Sequence, residues 1–246
     1  MVQKRQTHSM SSIADNIGSV TRRIQKATLQ ADRAPGSVRL LAVSKTRPPE
    51  ELRAAAEAGQ IAFGENYLQE ALDKIEALQD LPDLEWHFIG PIQSNKTRQI
   101  AESFDWVHSV DRLKIARRLS EQRPAHQPAL NICLQVNIND EASKSGCTLA
   151  QLPELVAAVG ELSNIKLRGL MAIPDPGQPE AELRLSFRKL ASTLKDLKQQ
   201  HPEAGPLDTL SMGMSGDMDL AIAEGATWVR VGTALFGARP AKQAQG

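Results

Sequence analysis

The chain has 246 residues, 41% hydrophobic and 24% charged, with Lys plus Arg and Asp plus Glu balanced at 29 each. Such a composition suits a soluble globular protein with a large core, and the even charge speaks against a nucleic-acid or anionic-membrane surface. Two cysteines, Cys133 and Cys147, make neither a disulfide framework nor a zinc site, which points to a reducing cytoplasm; there is no 18-residue apolar run and no signal peptide.

Residues 1–10 are polar and expected to be disordered. Ile13, Ile17, Val20, Ile24 and Ala27 then follow a helical stripe. Because this helix precedes the first strand, it is expected to cover one end of the fold. Val38 to Ser44 is a strand whose apolar run implies burial on both faces. Pro48-Pro49 opens the next helix, Glu50 and Glu51 favour its N-terminus, and Gly59 closes it. A short strand, Ile61 to Phe63, precedes Gly64-Glu65-Asn66, and a helix carries Leu68, Ala71, Leu72, Ile75 and Leu78. Glu85 to Ile89 is a third strand, and Ser94 is positioned to cap the helix holding Ile100 and Ala101. Trp106 to Val110 and Leu130 to Val136 are further strands, separated by a helix over Leu113 to Leu119. Thr148 with Gln151 reads as a capping box. Ile165 to Met171 is the sixth strand, Leu183 to Leu197 a clear helix, and Thr209-Leu210 a short seventh strand with a helix from about Ser215 to Glu224. Ala226 to Val231 is the eighth, and a short tail follows Gly237, with 241–246 as its end.

Eight strand–helix alternations after one extra helix predict a closed (β/α)8 barrel over 11–240, with a doubly wound open sheet as the rival. In a barrel the site lies at the C-terminal strand ends. Those ends include Lys45, Gly64-Glu65-Asn66, His87 to Gly90, His108-Ser109, Asn137, Met171, Ser211 to Ser215 and Gly232-Thr233. Lys45 stands where the first strand stops. Desolvation there favours the free amine that a Schiff base needs. The plainer alternative is a lysine starting a solvated loop with its stem on the core. Ser211-Met212-Gly213-Met214-Ser215-Gly216 and Gly232-Thr233 offer hydroxyls and approachable backbone N–H groups for an anion, although Gly and Ser also simply make turns. Arg230, inside an apolar strand, needs either a structural ion-pair partner or a ligand at the barrel mouth. His87 fits a satisfied core histidine, Cys133 a core position, and Lys96 and Lys144 solvated positions, with Lys144 also able to reach an anion over the mouth. No Walker loop, dinucleotide fingerprint or metal-ligand cluster is present in the sequence. A Schiff-base lysine and a phosphate site on one rim suggest pyridoxal 5′-phosphate (PLP).

LLAVSKTRP, FGENYLQEA, EWHFIGPIQSNK, SKSG, GLMAI, LSMGMSGDMDLAI and VRVGTALFGAR, in this order, closely resemble the pyridoxal phosphate homeostasis proteins from about Ile13 to Arg239. The resemblance implies an alanine racemase N-terminal-domain barrel holding PLP covalently on Lys45. It further implies that Ser211, Gly213, Met214 and Ser215, with Gly232 and Thr233, surround the phosphate, that Arg230 faces the pyridine nitrogen, and that Asn66, His87 and Met171 line the pocket. Gly216 departs from the family pattern, in which many relatives carry Asp after the serine. The implied role is a cytoplasmic cofactor carrier, expected as a monomer that passes PLP transiently to apo-enzymes, without nucleic-acid or membrane partners. A weak PLP-dependent racemase is the alternative. A racemase needs a second base, and in alanine racemases a C-terminal domain supplies it as a tyrosine. This chain ends nine residues after Gly237 and its single tyrosine is Tyr67, so that base is expected to be missing. A phosphate-sugar barrel enzyme with an unrelated lysine ranks third.

Overall fold

Strands that are apolar on both faces need cover on both sides, and here they obtain it by closing on themselves. The computed structural model describes residues 6–142 and 144–238, with side chains from residue 13 on. Strands β1 (Arg39–Val43), β2 (Ala62–Glu65), β3 (Glu85–Phe88), β4 (Trp106–Val110), β5 (Leu130–Gln135), β6 (Ile165–Met171), β7 (Thr209–Met214) and β8 (Trp228–Val231) form one closed parallel barrel in sequence order. The open-sheet alternative is excluded by the β1–β8 pairing, in which Leu41 lies against Arg230 and Ala42 against Val231.

Helices α1 (Gln6–Gln30), α2 (Pro49–Glu57), α3 (Leu68–Ala77), α4 (Thr97–Ser103), α5 (Leu113–Gln122), α6 (Leu152–Gly160), α7 (Glu180–Gln200), α8 (Met218–Ala223) and α9 (Thr233–Phe236) surround it. The stripe Ile13, Ile17, Val20, Ile24 and Ala27 is buried. It packs against α2, α8 and α9 in the outer layer and does not cover a barrel end, contrary to expectation. The reason lies in α9, a single turn of four residues, too short to shield β8 and β1; α1 takes the place of the missing outer helix. Helix α1 begins at Gln6, within the polar stretch 1–10. Residues 1–5 and the tail at 241–246 lie outside the described residues.

Alternation along each strand divides the core in two. Ala42, Phe63, Phe88, Val107, Ile132, Leu170 and Val229 face the helices. Leu41, Ala62, Trp106, Cys133, Met171 and Trp228 fill the barrel interior. Trp106 and Trp228 meet edge to face with centroids 5.8 Å apart. His87 stacks on Trp106 at 5.4 Å and touches Trp228 edgewise at 4.7 Å. Below them Arg39 covers Trp228 at 4.2 Å and Arg168 covers Trp106 at 4.8 Å, both cation–π contacts that close the lower end. By the same alternation Lys45 falls on the inward parity of Leu41, and Arg230 on that of Trp228.

Local signals act largely as read. Pro49 occupies the first turn of α2 with Glu50 and Glu51 beside it. The Thr148–Gln151 capping box is complete, with bonds of 3.2 and 2.9 Å, although it opens a 3-10 turn ahead of α6. Ser94 is a correction: it begins a 3-10 turn, and its carbonyl accepts from Thr97 Oγ1 at 3.1 Å instead of its side chain capping α4. β7 also runs on to Met214 and α8 starts only at Met218, so the stretch read as loop from Ser211 is mostly strand.

Candidate functional site

Lys45, half-buried, follows the end of β1 at the barrel rim. Its neighbours are held on both sides. Ser44 donates its N–H to Gly64 O at 3.0 Å and its hydroxyl to Glu65 Oε1 at 2.7 Å. The Ser44 carbonyl accepts from Lys74 Nζ at 2.7 Å. Thr46 sits at φ 65°, a left-handed conformation that is costly for a β-branched residue, and its N–H donates to Glu70. Lys74, 3% exposed, joins these partners by pairing with Glu65 and Glu70 at 2.7 Å each. Burial pushes the Glu65 carboxyl above its usual range, and the Lys74 ammonium opposes that rise. Sequence reading missed this brace. On an amphipathic helix a lysine reads as solvated, and nothing local marks Lys74 as the one turned inward beneath Ser44.

Above the brace lies a cleft of about 400 Å³ lined by Val43, Lys45, Ile173, Pro174, Pro176 and Leu183 on one side. Gly213 to Asp217, Arg230, Gly232 and Thr233 complete it. Gly213 has φ 101°, and a Cβ there would stand 2.6 Å from that of Ala221, so only glycine fits. The turn that follows is held by Asp217, which accepts the Met214 N–H at 2.6 Å and donates its own N–H to Met214 O at 3.1 Å. Arg23 of α1 donates to Ser215 O at 2.8 Å and pairs with Asp219, tying the extra helix to the turn. The β1–β8 register brings Gly232 beside Val43, and Thr233, exposed, begins α9 next to Lys45.

Arg230 forms part of the cleft lining although it is 5% exposed. Its NH1 donates to Ser211 O at 3.1 Å and Ser211 Oγ at 2.7 Å, and its NH2 to Ala172 O at 3.0 Å. Among the described residues no carboxylate pairs with it, which decides against the structural ion pair. Burial lowers its pKa to about 10, so it remains a cation at neutral pH. The cleft therefore combines an amine, a glycine- and hydroxyl-bearing turn, and a fixed guanidinium. That set suits a carbonyl compound carrying an anionic group and a ring acceptor.

The remaining expected residues are placed as follows. Ser211 is fully buried within β7, and its hydroxyl contacts His108 Nδ1 at 2.7 Å beneath the cleft. His87 and Met171 lie in the barrel interior, 0% and 1% exposed, and do not line the cleft. Asn66 lines an adjoining cleft of about 360 Å³ with Gln135, Asn137 and Lys144; Ile173 belongs to both clefts. Lys144 pairs with Glu141 at 3.2 Å, and Lys96 is exposed. Tyr67, 54% exposed ahead of α3, is not among the residues of the Lys45 cleft. Burial pushes the Cys133 thiol to about 12 and Cys147 to about 11, which makes both inert as nucleophiles.

The family model for the alanine racemase N-terminal domain matches residues 16–240. A pyridoxal phosphate homeostasis protein of Pseudomonas aeruginosa is 62% identical over 230 residues, covering 94% of this chain and 97% of that protein. Its Escherichia coli counterpart is 53% identical over 235 residues, covering 94% and 98%. Among solved structures, PipY of Synechococcus elongatus with PLP bound superposes with a TM-score of 0.79 at 42% identity, covering 92% of this chain and all of that one.

Proposed function

The chain belongs to the pyridoxal phosphate homeostasis proteins, built on the alanine racemase N-terminal domain, and from that premise we propose that its rim cleft holds PLP with Lys45 as the covalent anchor. Bound there, the cofactor supplies an aldehyde that a primary amine can capture and a pyridine ring that can draw electrons from it. Everything else is the work of the chain. Ser44 and Thr46, braced by Lys74, Glu65 and Glu70, fix the backbone that presents the Lys45 amine. Gly213 and Ser215 on the β7 turn, with Gly232 and Thr233, bind the phosphate through backbone N–H and hydroxyl groups; Met214 lies between them, and Asp217, which takes the Met214 N–H, holds the turn open. Arg230, a cation at neutral pH, would face the ring nitrogen and keep it without a proton, which would weaken the ring as an electron sink. The observation that carries the reading is the convergence of Lys45, this turn and Arg230 on one cleft of suitable size.

The protein acts as a cytoplasmic carrier that keeps reactive cofactor bound and passes it transiently to apo-enzymes, and it works as a monomer. Racemisation needs acid–base groups on both faces of a substrate. The titratable lining residues of the cleft are Lys45, Asp217 and Arg230, and the Asp217 carboxylate is already engaged by Met214. That supports a carrier over a racemase. Both cysteines are free thiols, in keeping with that setting, and no helix among the described residues is long and apolar enough to cross a membrane.

Borohydride treatment of the PLP-loaded protein followed by peptide mapping tests the anchor. Label on the Lys45 peptide, lost in Lys45→Ala, is expected; label elsewhere overturns the assignment. Sustained interconversion of D- and L-amino acids that Lys45→Ala abolishes would replace the carrier reading with the racemase.

A further inference from the structure

One row of polar side chains crosses the barrel interior, from the start of β3 to the end of β8. Glu85 Oε1 lies 2.6 Å from His87 Nε2. His87 Nδ1 lies 2.8 Å from His108 Nε2, and His108 Nδ1 lies 2.7 Å from Ser211 Oγ. Arg230 NH1 reaches the same Oγ at 2.7 Å. His87, His108 and Ser211 are each 0% exposed, so solvent does not break the row.

The two ends dictate the proton order. A guanidinium only donates, so Arg230 gives an N–H to Ser211 Oγ. The serine's single proton then goes to His108 Nδ1. His108 must carry its own proton on Nε2 and give it to His87 Nδ1. His87 likewise carries its proton on Nε2 and gives it to the Glu85 carboxylate, which only accepts when ionised. Each hydrogen bond fixes the next, and every buried atom in the row is satisfied in this one direction only. A second proton on His108 would turn Nδ1 into a donor and leave the Ser211 hydroxyl proton without an acceptor among the described residues. The charged groups near the two imidazoles are Glu85 and Asp105, opposed by Arg39 and Arg230. Burial lowers both imidazoles, His108 well below the ordinary range, in agreement with one proton each.

We propose that Ser211, His108 and His87 are positioning residues for Arg230: a one-directional relay, anchored on Glu85 at the far end of the barrel, sets the orientation of the guanidinium that acts at the cleft. What Arg230 faces there rests on the PLP reading above; the relay itself does not. Glu85 is a remote control point. It pairs with Arg39 at 3.4 Å at the lower end and is not among the residues that line the cleft.

The test begins with the cofactor-free wild type labelled with 15N-histidine. Long-range 1H–15N spectra distinguish protonated from unprotonated ring nitrogens, and both His87 and His108 are expected with the proton on Nε2 and none on Nδ1. A proton on Nδ1 of either ring overturns the relay, and this arm needs no variant. Glu85→Ala removes the terminal acceptor. It is expected to change the His108 ring shifts and to weaken PLP retention about tenfold, the scale of one lost buried hydrogen bond. Glu85→Gln keeps an acceptor and is expected to restore both. Unchanged His108 shifts and unchanged retention in Glu85→Ala would refute the coupling. Failure of the wild type to take up PLP while showing the expected tautomers would instead sink the cofactor reading and leave the relay standing.

Discussion

Replacing Lys74 with methionine keeps the aliphatic stem and removes only the charge. In the native protein Glu65 is 0% exposed, and its Oε1 receives Lys74 Nζ and Ser44 Oγ at 2.7 Å each. Its Oε2 lacks a hydrogen-bond partner among the described residues. Without Lys74 a buried carboxylate keeps one donor, and the Ser44 carbonyl loses its ammonium contact. Breaking a buried pair in this way costs about 3–5 kcal/mol. At roughly 2–4 °C per kcal/mol for a chain of this size, Tm should fall by roughly 6–20 °C. The pH dependence gives the sharper check. The Glu65 carboxyl is raised in the folded protein, so its contribution to stability is full below the ordinary carboxylate pKa and declines as pH rises through the folded value. Lys74 limits that rise; removing it moves the folded pKa further up and extends the decline to higher pH. The cost should therefore grow with pH and be larger at pH 8 than at pH 5. Urea unfolding at the two pH values measures this. A cost below about 1 kcal/mol, or one equal at both pH values, would refute a buried, charged brace beneath Lys45.

Other consequences can be measured with the same preparations. Thr233→Val should weaken PLP retention by roughly 1.5–3 kcal/mol, one hydrogen bond to a charged group, as read by equilibrium dialysis; unchanged affinity would move the phosphate elsewhere. Gly213→Ala meets both a left-handed φ and the Ala221 methyl, so unfolding should show a loss of about 1–3 kcal/mol. Thr148→Val removes the capping box of the 3-10 turn ahead of α6 and should cost about 1 kcal/mol in the same assay. Light scattering should give a monomer, and a stable dimer would overturn that part of the proposal.

The barrel was legible because its strands are short apolar runs at regular intervals, and Ile165 to Met171 matches β6 residue for residue. Lys45 and Arg230 stood out for a simple reason: a lone charge at the end of an apolar strand must serve some purpose. The relay was less visible. His108 showed only as a strand end and Glu85 only as a strand start, because hydrogen bonds across a barrel join residues far apart in sequence, as His108 and Ser211 are. Ser211 was misplaced for another reason. Ser and Gly in Ser211-Met212-Gly213 look like turn residues, whereas in β7 the serine hydroxyl receives the Arg230 guanidinium and the glycine lets Ala221 pack close. The role of α1 could not be foreseen without knowing that α9 stops after one turn.

The two interior tryptophans have an optical consequence. Trp106 and Trp228 both contact the His87 ring, while Trp86 lies outside the barrel against Phe63. Indole emission is quenched strongly by a protonated imidazole in contact and weakly by a neutral one. Two of the three indoles of this chain thus report the charge of a residue that solvent cannot reach. Fluorescence of the unlabelled native protein becomes an indicator of whether the buried His87 ring takes up a second proton, readable through a titration without altering any side chain.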